Sequence, residues 1–354
     1  MSVFVIIYYT LLLGVSCLAA YFNKRSVFIL AFSLTLVSFV LGIVGGVGAL
    51  KAVATIAGGL ALAGMVSYAF REFLILMASP ETAKELRTAP LTAAFGMFVI
   101  FTYAVGAIFA PWIAPHGEAE IISAAFAPAD ENMLLGADQL GRDMFSRLVY
   151  GTRNSVGLAL TATIAAFILG AGAGLLAATK GGWLDQFLGR FADVIMSIPS
   201  LIFALLMLSI FGPSMPVIII AVAIIYAPRV FRLTRAVAGN VVVMDYIEAA
   251  KLRGEGTWYL IRREILPNSM APLVAEFGLE FCFVFLLVAG LSFLGLGIQP
   301  PTADWGSMVR ENATLISFGD ITPLIPAAAI ALLTVAVNFV VDWMLFRSSG
   351  LKEQ

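Results

Sequence analysis

Histidine and cysteine are almost missing from this sequence, and charge is scarce. Among 354 residues there is one histidine, His116, and there are two cysteines, Cys17 and Cys282. One histidine builds no metal centre, and two cysteines lying in separate apolar runs make neither a disulfide framework nor a zinc site. Charged residues make up 12% of the chain against about 25% in soluble domains, and hydrophobic residues 61% against about 45–50%. A soluble globular domain is therefore excluded. The formal net charge of −1 leaves no electrostatic footprint for a nucleic-acid partner. No GxxxxGK[ST] loop occurs, so this chain cannot cradle nucleotide phosphates in that way. The first apolar run has no basic stretch before it and no clear small-residue cleavage site, which points to an uncleaved span and not to a signal peptide.

What is abundant is long hydrophobic runs. A hydrocarbon core of about 30 Å needs roughly 20 apolar residues per helix, and on that measure nine spans are predicted, three plus six. The first three cover 2–22, 26–50 and 52–70, and a charged interfacial or cytosolic linker helix, 71–90, follows them, punctuated by Ser79-Pro80-Glu81. The other six cover 91–113, 153–178, 191–211, 214–234, 269–296 and 321–346. The fold class is an all-α polytopic membrane protein, with a six-helix core at 91–346 and about three added N-terminal helices at 1–70. Between core spans lie a loop at 114–152 and a charged loop at 236–268, and 347–354 is a tail. Placing the charged loop in the cytosol puts sixteen of the 21 basic residues on that side, leaving Lys51, Arg142, Arg147, Arg153 and Arg310 outside. The C-terminus is then cytosolic. Three added spans put the N-terminus outside; if 52–70 does not cross, it is cytosolic instead.

The chain is organised around Asp245 to Pro267, its one long charged segment, which reads as helix, glycine turn, helix. Asp245 and Glu248 have the spacing of a capping box. Gly254 and Gly256 allow the positive φ that ends the first helix. Thr257 is placed to cap the second, and Pro267 to stop it. Glu248-Ala249-Ala250, Gly254 six positions after the glutamate, and Ile265-Leu266-Pro267 together resemble the EAA signature of ABC importer membrane subunits. In that family the loop docks on an ATPase, so the resemblance implies a coupling role for Glu248, Ala249, Ala250, Gly254 and Pro267. The competing reading is a basic amphipathic hairpin lying on the membrane surface.

Two more stretches resemble the dipeptide, oligopeptide and nickel branch of these permeases. Leu135 to Arg153 is similar to LGTDxxGRDxxSRxxYGxR, with Ala137 in place of threonine, and Leu291 to Gly306 is similar to LSFLGLGxQPPxPxWG. Around Asp138, Gly141, Arg142, Asp143 and Arg147 the expectation is either a salt-bridged collar that fixes the loop to the bundle or direct contact with substrate. Glu276 and Glu280 share one helix face. Carboxylates at membrane depth are costly, so each is a pore-lining candidate, or is paired or protonated. The family often carries a glutamate where this chain has Val288. Arg229, Arg232 and Arg235 are expected either to snorkel to lipid phosphate or to meet the ATPase. Gly170 to Gly174 allows close helix packing.

The resemblance covers roughly 90–350 and is to the C-type permease of binding-protein-dependent systems. It implies a non-catalytic subunit in the bacterial or archaeal inner membrane, paired with a homologous permease, two ATPase subunits that bind the ATP and Mg, and an extracytoplasmic solute-binding protein. No cofactor or metal is expected in this chain itself. Two other classes compete. One is a proton-coupled secondary transporter using Glu276, Glu280 or Asp342, and the other is a structural scaffold built from the N-terminal spans.

Overall fold

A computed structural model describes residues 48–318 and 322–348. The expected spans 2–22 and most of 26–50, and most of the tail 347–354, lie outside the described residues. The chain divides into two compact units, Met1–Leu91 and Thr92–Gln354. In the first, α1 (Gly48–Met77) continues seven residues beyond the expected end at 70. Its part from Gly59 to Met77 is long and apolar enough to cross a membrane. The short α2 (Pro80–Arg87) starts where the sequence punctuation placed it. Ser79 accepts from the Thr82 amide, Pro80 occupies the first turn, and Lys84 and Arg87 lie in the last turn, where cations complement the helix dipole. Arg71 of α1 donates to the Ala89 carbonyl at 3.2 Å and ties the two helices together.

The second unit holds the six-span core. Its helices are α3 (Leu91–Ile113), α4 (Met144–Gly151), α5 (Gly157–Lys180), α6 (Gly182–Met196), α7 (Ser200–Phe211), α8 (Met215–Val242), α9 (Asp245–Leu252), α10 (Thr257–Tyr259), α11 (Leu266–Phe293), α12 (Trp305–Asn312) and α13 (Leu324–Ser348). Two of the spans are longer than the apolar runs suggested. A π turn at Thr152–Val156 joins α4 to α5, so one rod runs Met144–Lys180; a second π turn at Leu260–Ile265 joins α10 to α11, giving Thr257–Phe293. A third is not one span. The expected helix at 191–211 is broken at Pro199 into α6 and α7, which are bent by 85°. Proline has no amide to donate and pushes Ile198 out of the α region, so the helix must restart at Ser200.

The rod α5 packs along α8. Gly170 and Gly174 sit against the α8 backbone, where a β-carbon on Gly174 would lie 2.8 Å from the Phe231 carbonyl and one on Gly170 would collide with that of Ala227. These two glycines, one turn apart, form the small-residue seam that lets helices touch in lipid. Gly172, between them, faces open space. The core lies where α5, α8, α11 and α12 converge. Its largest member, Trp305, is 1% exposed, meets Tyr103 and Phe285 edge-on, and donates its indole N–H to the Leu148 carbonyl at 2.9 Å. Cys282 is buried in the same core as a packing residue.

Candidate functional site

The charged loop is built on the two long helices that flank it. α8 runs eight residues past its expected end at 234, and α9 folds back beneath it. Ile247 and Ala250, both 0% exposed, lock α9 into a cluster with Leu175, Ala238, Leu260, Ile261 and Ile265. The opposite face of α9 is free. Glu248 and Ala249 are exposed there, and nearby Val243, Tyr246, Leu252 and Trp258 are large apolar side chains with no cover. Several local expectations need correcting. Asp245 is not the cap, because Met244 occupies that position with extended backbone, and the capping box does not form; Asp245 and Glu248 lie instead in the first turn, where their charges face the helix dipole. Thr257 likewise caps nothing, since the helix begins after Gly256. Ala250 is not available for docking. Its small side chain serves packing inside the loop.

Gly254 does what its sequence position suggested. Its φ is +83°, its amide donates to Lys251, and the Glu255 amide reaches back to the Ala250 carbonyl at 3.2 Å, which closes a Schellman turn. Gly256 has φ −75° and plays no such part. Pro267 does not stop the helix. It lies in the first turn of α11, directly after the π turn, whose wider coil gives the ring room and leaves no i−4 bond to be lost. The loop is thereby joined without a break to a membrane span.

At the other end of the same rods, the two further signature stretches meet. Asp138 accepts from Nε of Arg142 at 2.7 Å and lies 3.3 Å from Nε of Arg147, while Glu311 takes Arg142 at 3.0 Å and Arg147 at 3.5 Å. Both arginines are under 4% exposed, so two cations and two carboxylates neutralise one another inside the protein. Asp143 is not part of this cluster. It caps α4, accepting from the Phe145 and Ser146 amides and the Ser146 hydroxyl. Gly141 has φ +79° and lies against the Ser123 carbonyl, leaving no room for a side chain. Glu118 accepts from Asn154 and from the Ala303 amide at 2.8 Å. Asp304 caps α12 and accepts from Ser155, and its burial pushes the carboxyl pKa up against the opposing pull of these hydrogen bonds. The π turn at Thr152–Val156 turns Asn154 and Ser155 toward this seam. Glu118, Ser155 and Glu311 were not anticipated: each is a single polar residue with a partner more than a hundred positions away in the chain, Ala303, Asp304 and Arg142 respectively.

Inside the span region, Glu280 is 1% exposed and turned into the protein, which contradicts its expected place on an open pathway. Its Oε1 lies 3.2 Å from Nε of Arg229 on α8. Arg229 is thus not a snorkelling residue at a helix end but a mid-helix cation held over the Phe283 ring at 4.6 Å. Arg235 is bound by Asp185 of α6. Glu276 is half-buried one turn before Glu280. Among the described residues no group of His, Cys, Asp and Glu is placed to hold a metal.

Residues 170–348 match the family described as binding-protein-dependent transport system inner membrane component. The di/tripeptide transport system permease protein of Pseudomonas aeruginosa is 35% identical over 255 residues, which is 70% of this chain and 83% of that protein. The dipeptide transport system permease protein of Alkalihalophilus pseudofirmus is 34% identical over 264 residues, covering 74% and 86%. The glutathione transport system permease protein of Pectobacterium atrosepticum is 33% identical over 258 residues, covering 71% and 84%.

Proposed function

The chain belongs to the family of binding-protein-dependent transport inner membrane components and is the permease subunit of an ATP-binding-cassette importer, and from that premise we propose that it forms half of a pathway for dipeptides and other short peptides. The names of its relatives support this substrate class. The other half is a homologous permease, making a heterodimer. Two ATPase subunits bind ATP and Mg²⁺, so this chain has no nucleotide site of its own. An extracytoplasmic binding protein delivers the peptide. The chain sits in a bacterial inner membrane as a multi-pass protein, with its C-terminus in the cytoplasm and its N-terminus outside.

In this reading Glu248, Ala249 and Gly254 dock on the ATPase, and closure of the ATPase pair swings the loops and turns the pathway. Proton-coupled secondary transport is not supported by the family, and Glu280 is already engaged by Arg229. The observation that carries the docking proposal is the mounting of α9. One face is sealed into the cluster of Ile247 and Ala250, the other is exposed, and the Thr257–Phe293 rod leads from the loop straight into the membrane. A rigid lever is what coupling requires. A cysteine placed at Ala249 should crosslink to an ATPase subunit in the assembled complex and one at Ala250 should not. Equal crosslinking from both, or none from Ala249, would remove the docking face.

A further inference from the structure

The proposed function leaves the charge of Arg229 without a role. It lies near the middle of the 28-residue α8, and from Ala221 to Phe231 every other residue is buried or half-buried, while the Arg229 side chain is 42% exposed. A cation set among buried and half-buried neighbours on a membrane-crossing helix is costly to leave against hydrocarbon, so its open side faces an aqueous path or another protein. Its Nε lies 3.2 Å from Oε1 of Glu280, and the Phe283 and Tyr226 rings flank it at 4.6 Å and 5.9 Å. Among the described residues no carboxylate or carbonyl takes its two terminal amino groups. Beside it, at the α6–α7 bend, opens a cavity of about 240 Å³ bordered by Ile195, Pro199, Ser200, Phe203, Ile225 and Tyr226.

The arrangement is a fork of two free donors, fixed in orientation by an ion pair and two rings, at the mouth of a recess lined by both polar and apolar groups. Such a fork matches a carboxylate, which it binds through two parallel hydrogen bonds, with the recess taking an adjoining apolar side chain. We propose that Arg229 binds the terminal carboxylate of the transported peptide, a waypoint between delivery and release. Glu276, half-buried one turn before Glu280 on the same face of α11, provides the opposite charge for the ammonium of the same zwitterion. Glu280 holds the fork in place when the peptide has left. This inference rests on the peptide-importer reading above.

The test uses the whole complex in proteoliposomes with binding protein and radiolabelled Ala-Ala, measuring both uptake and ATPase turnover. R229Q should cut peptide moved per ATP by about ten-fold, the loss of one bidentate charged contact. Copurification of the second permease should stay near wild type. R229K, which keeps the charge without the fork, should fall between the two. Unchanged peptide per ATP in R229Q would overturn the proposal. Loss of the second permease from the R229Q complex would also overturn it, by showing that the carboxylate belongs to the partner subunit. Absence of ligand-stimulated ATPase in the wild type would defeat the importer reading itself, a result distinct from either.

Discussion

The two alanines of the signature, adjacent in sequence, should fail in different ways when enlarged. Ala250 is 0% exposed against Ile247, Leu260, Ile261 and Ile265, so Ala250→Leu has to force three extra carbons into a filled cluster. Overpacking of this kind costs about 1–3 kcal/mol. Because the cluster is what holds α9 to the rod, the cost appears as local opening, and it should raise the opening equilibrium of α9 by about 5- to 150-fold. Ala249 is exposed, and Ala249→Trp should change stability by no more than about 0.5 kcal/mol. Hydrogen exchange of the Asp245–Leu252 amides separates the cases. Ala250→Leu accelerates exchange; Ala249→Trp leaves it unchanged yet lowers ligand-stimulated ATPase, because the bulk sits on the docking face. If both variants accelerated exchange alike, or if Ala249→Trp transported at the wild-type rate, the division of the loop into a sealed and a docking face would be wrong.

Other outcomes follow from the same geometry. Gly254→Ala places a β-carbon at φ +83°, where nothing obstructs it in space but the left-handed backbone costs about 1–2 kcal/mol, so the α9–α10 turn should show raised protease sensitivity at an unchanged membrane fold. Glu311→Ala leaves two buried arginines to share the single carboxylate of Asp138 and should lower complex stability by about 3–5 kcal/mol, read as a drop in thermal midpoint. Asp304 gives a pH signature. Its pKa is raised on folding, so the folded state holds the proton more tightly than the unfolded one, and stability should decline as pH rises past about 3.9, the unfolded value. Asp304→Asn, which keeps a capping acceptor and loses the charge, should flatten that decline in the thermal midpoint measured across pH.

Much of the fold was legible in the sequence because hydrocarbon thickness imposes one length on every span. Five of the six core spans appear as single membrane-length helices, and the errors lie where side-chain chemistry overrides hydropathy. Pro199 broke a run that was mostly apolar, while Pro228 and Pro267 broke nothing: Pro228 lies inside α8, and Pro267 follows a π turn that takes up the missing bond. Hydropathy is blind to that difference. The turn at Gly254 was readable because only a left-handed residue closes a Schellman motif. The ion cluster of Asp138, Arg142 and Arg147 was half readable, since its local members share one motif, whereas Glu311 lies 169 residues from Arg142 and carries no pattern. The same holds for Arg229 and Glu280. Glu280 looked like a residue in need of a partner, whereas Arg229 was expected to snorkel or to meet the ATPase, and no periodicity in the chain links α8 to α11.

The most direct test of the central claim, that the loop couples this permease to an ATPase, is the ATPase rate of the purified complex in nanodiscs with and without peptide-loaded binding protein. Wild type should be compared with Gly254→Pro, which removes both the left-handed turn and the amide bonded to Lys251. The account predicts stimulation in the wild type and its loss in Gly254→Pro while the complex still assembles. A full response in Gly254→Pro, or no response to loaded binding protein in the wild type, would contradict it.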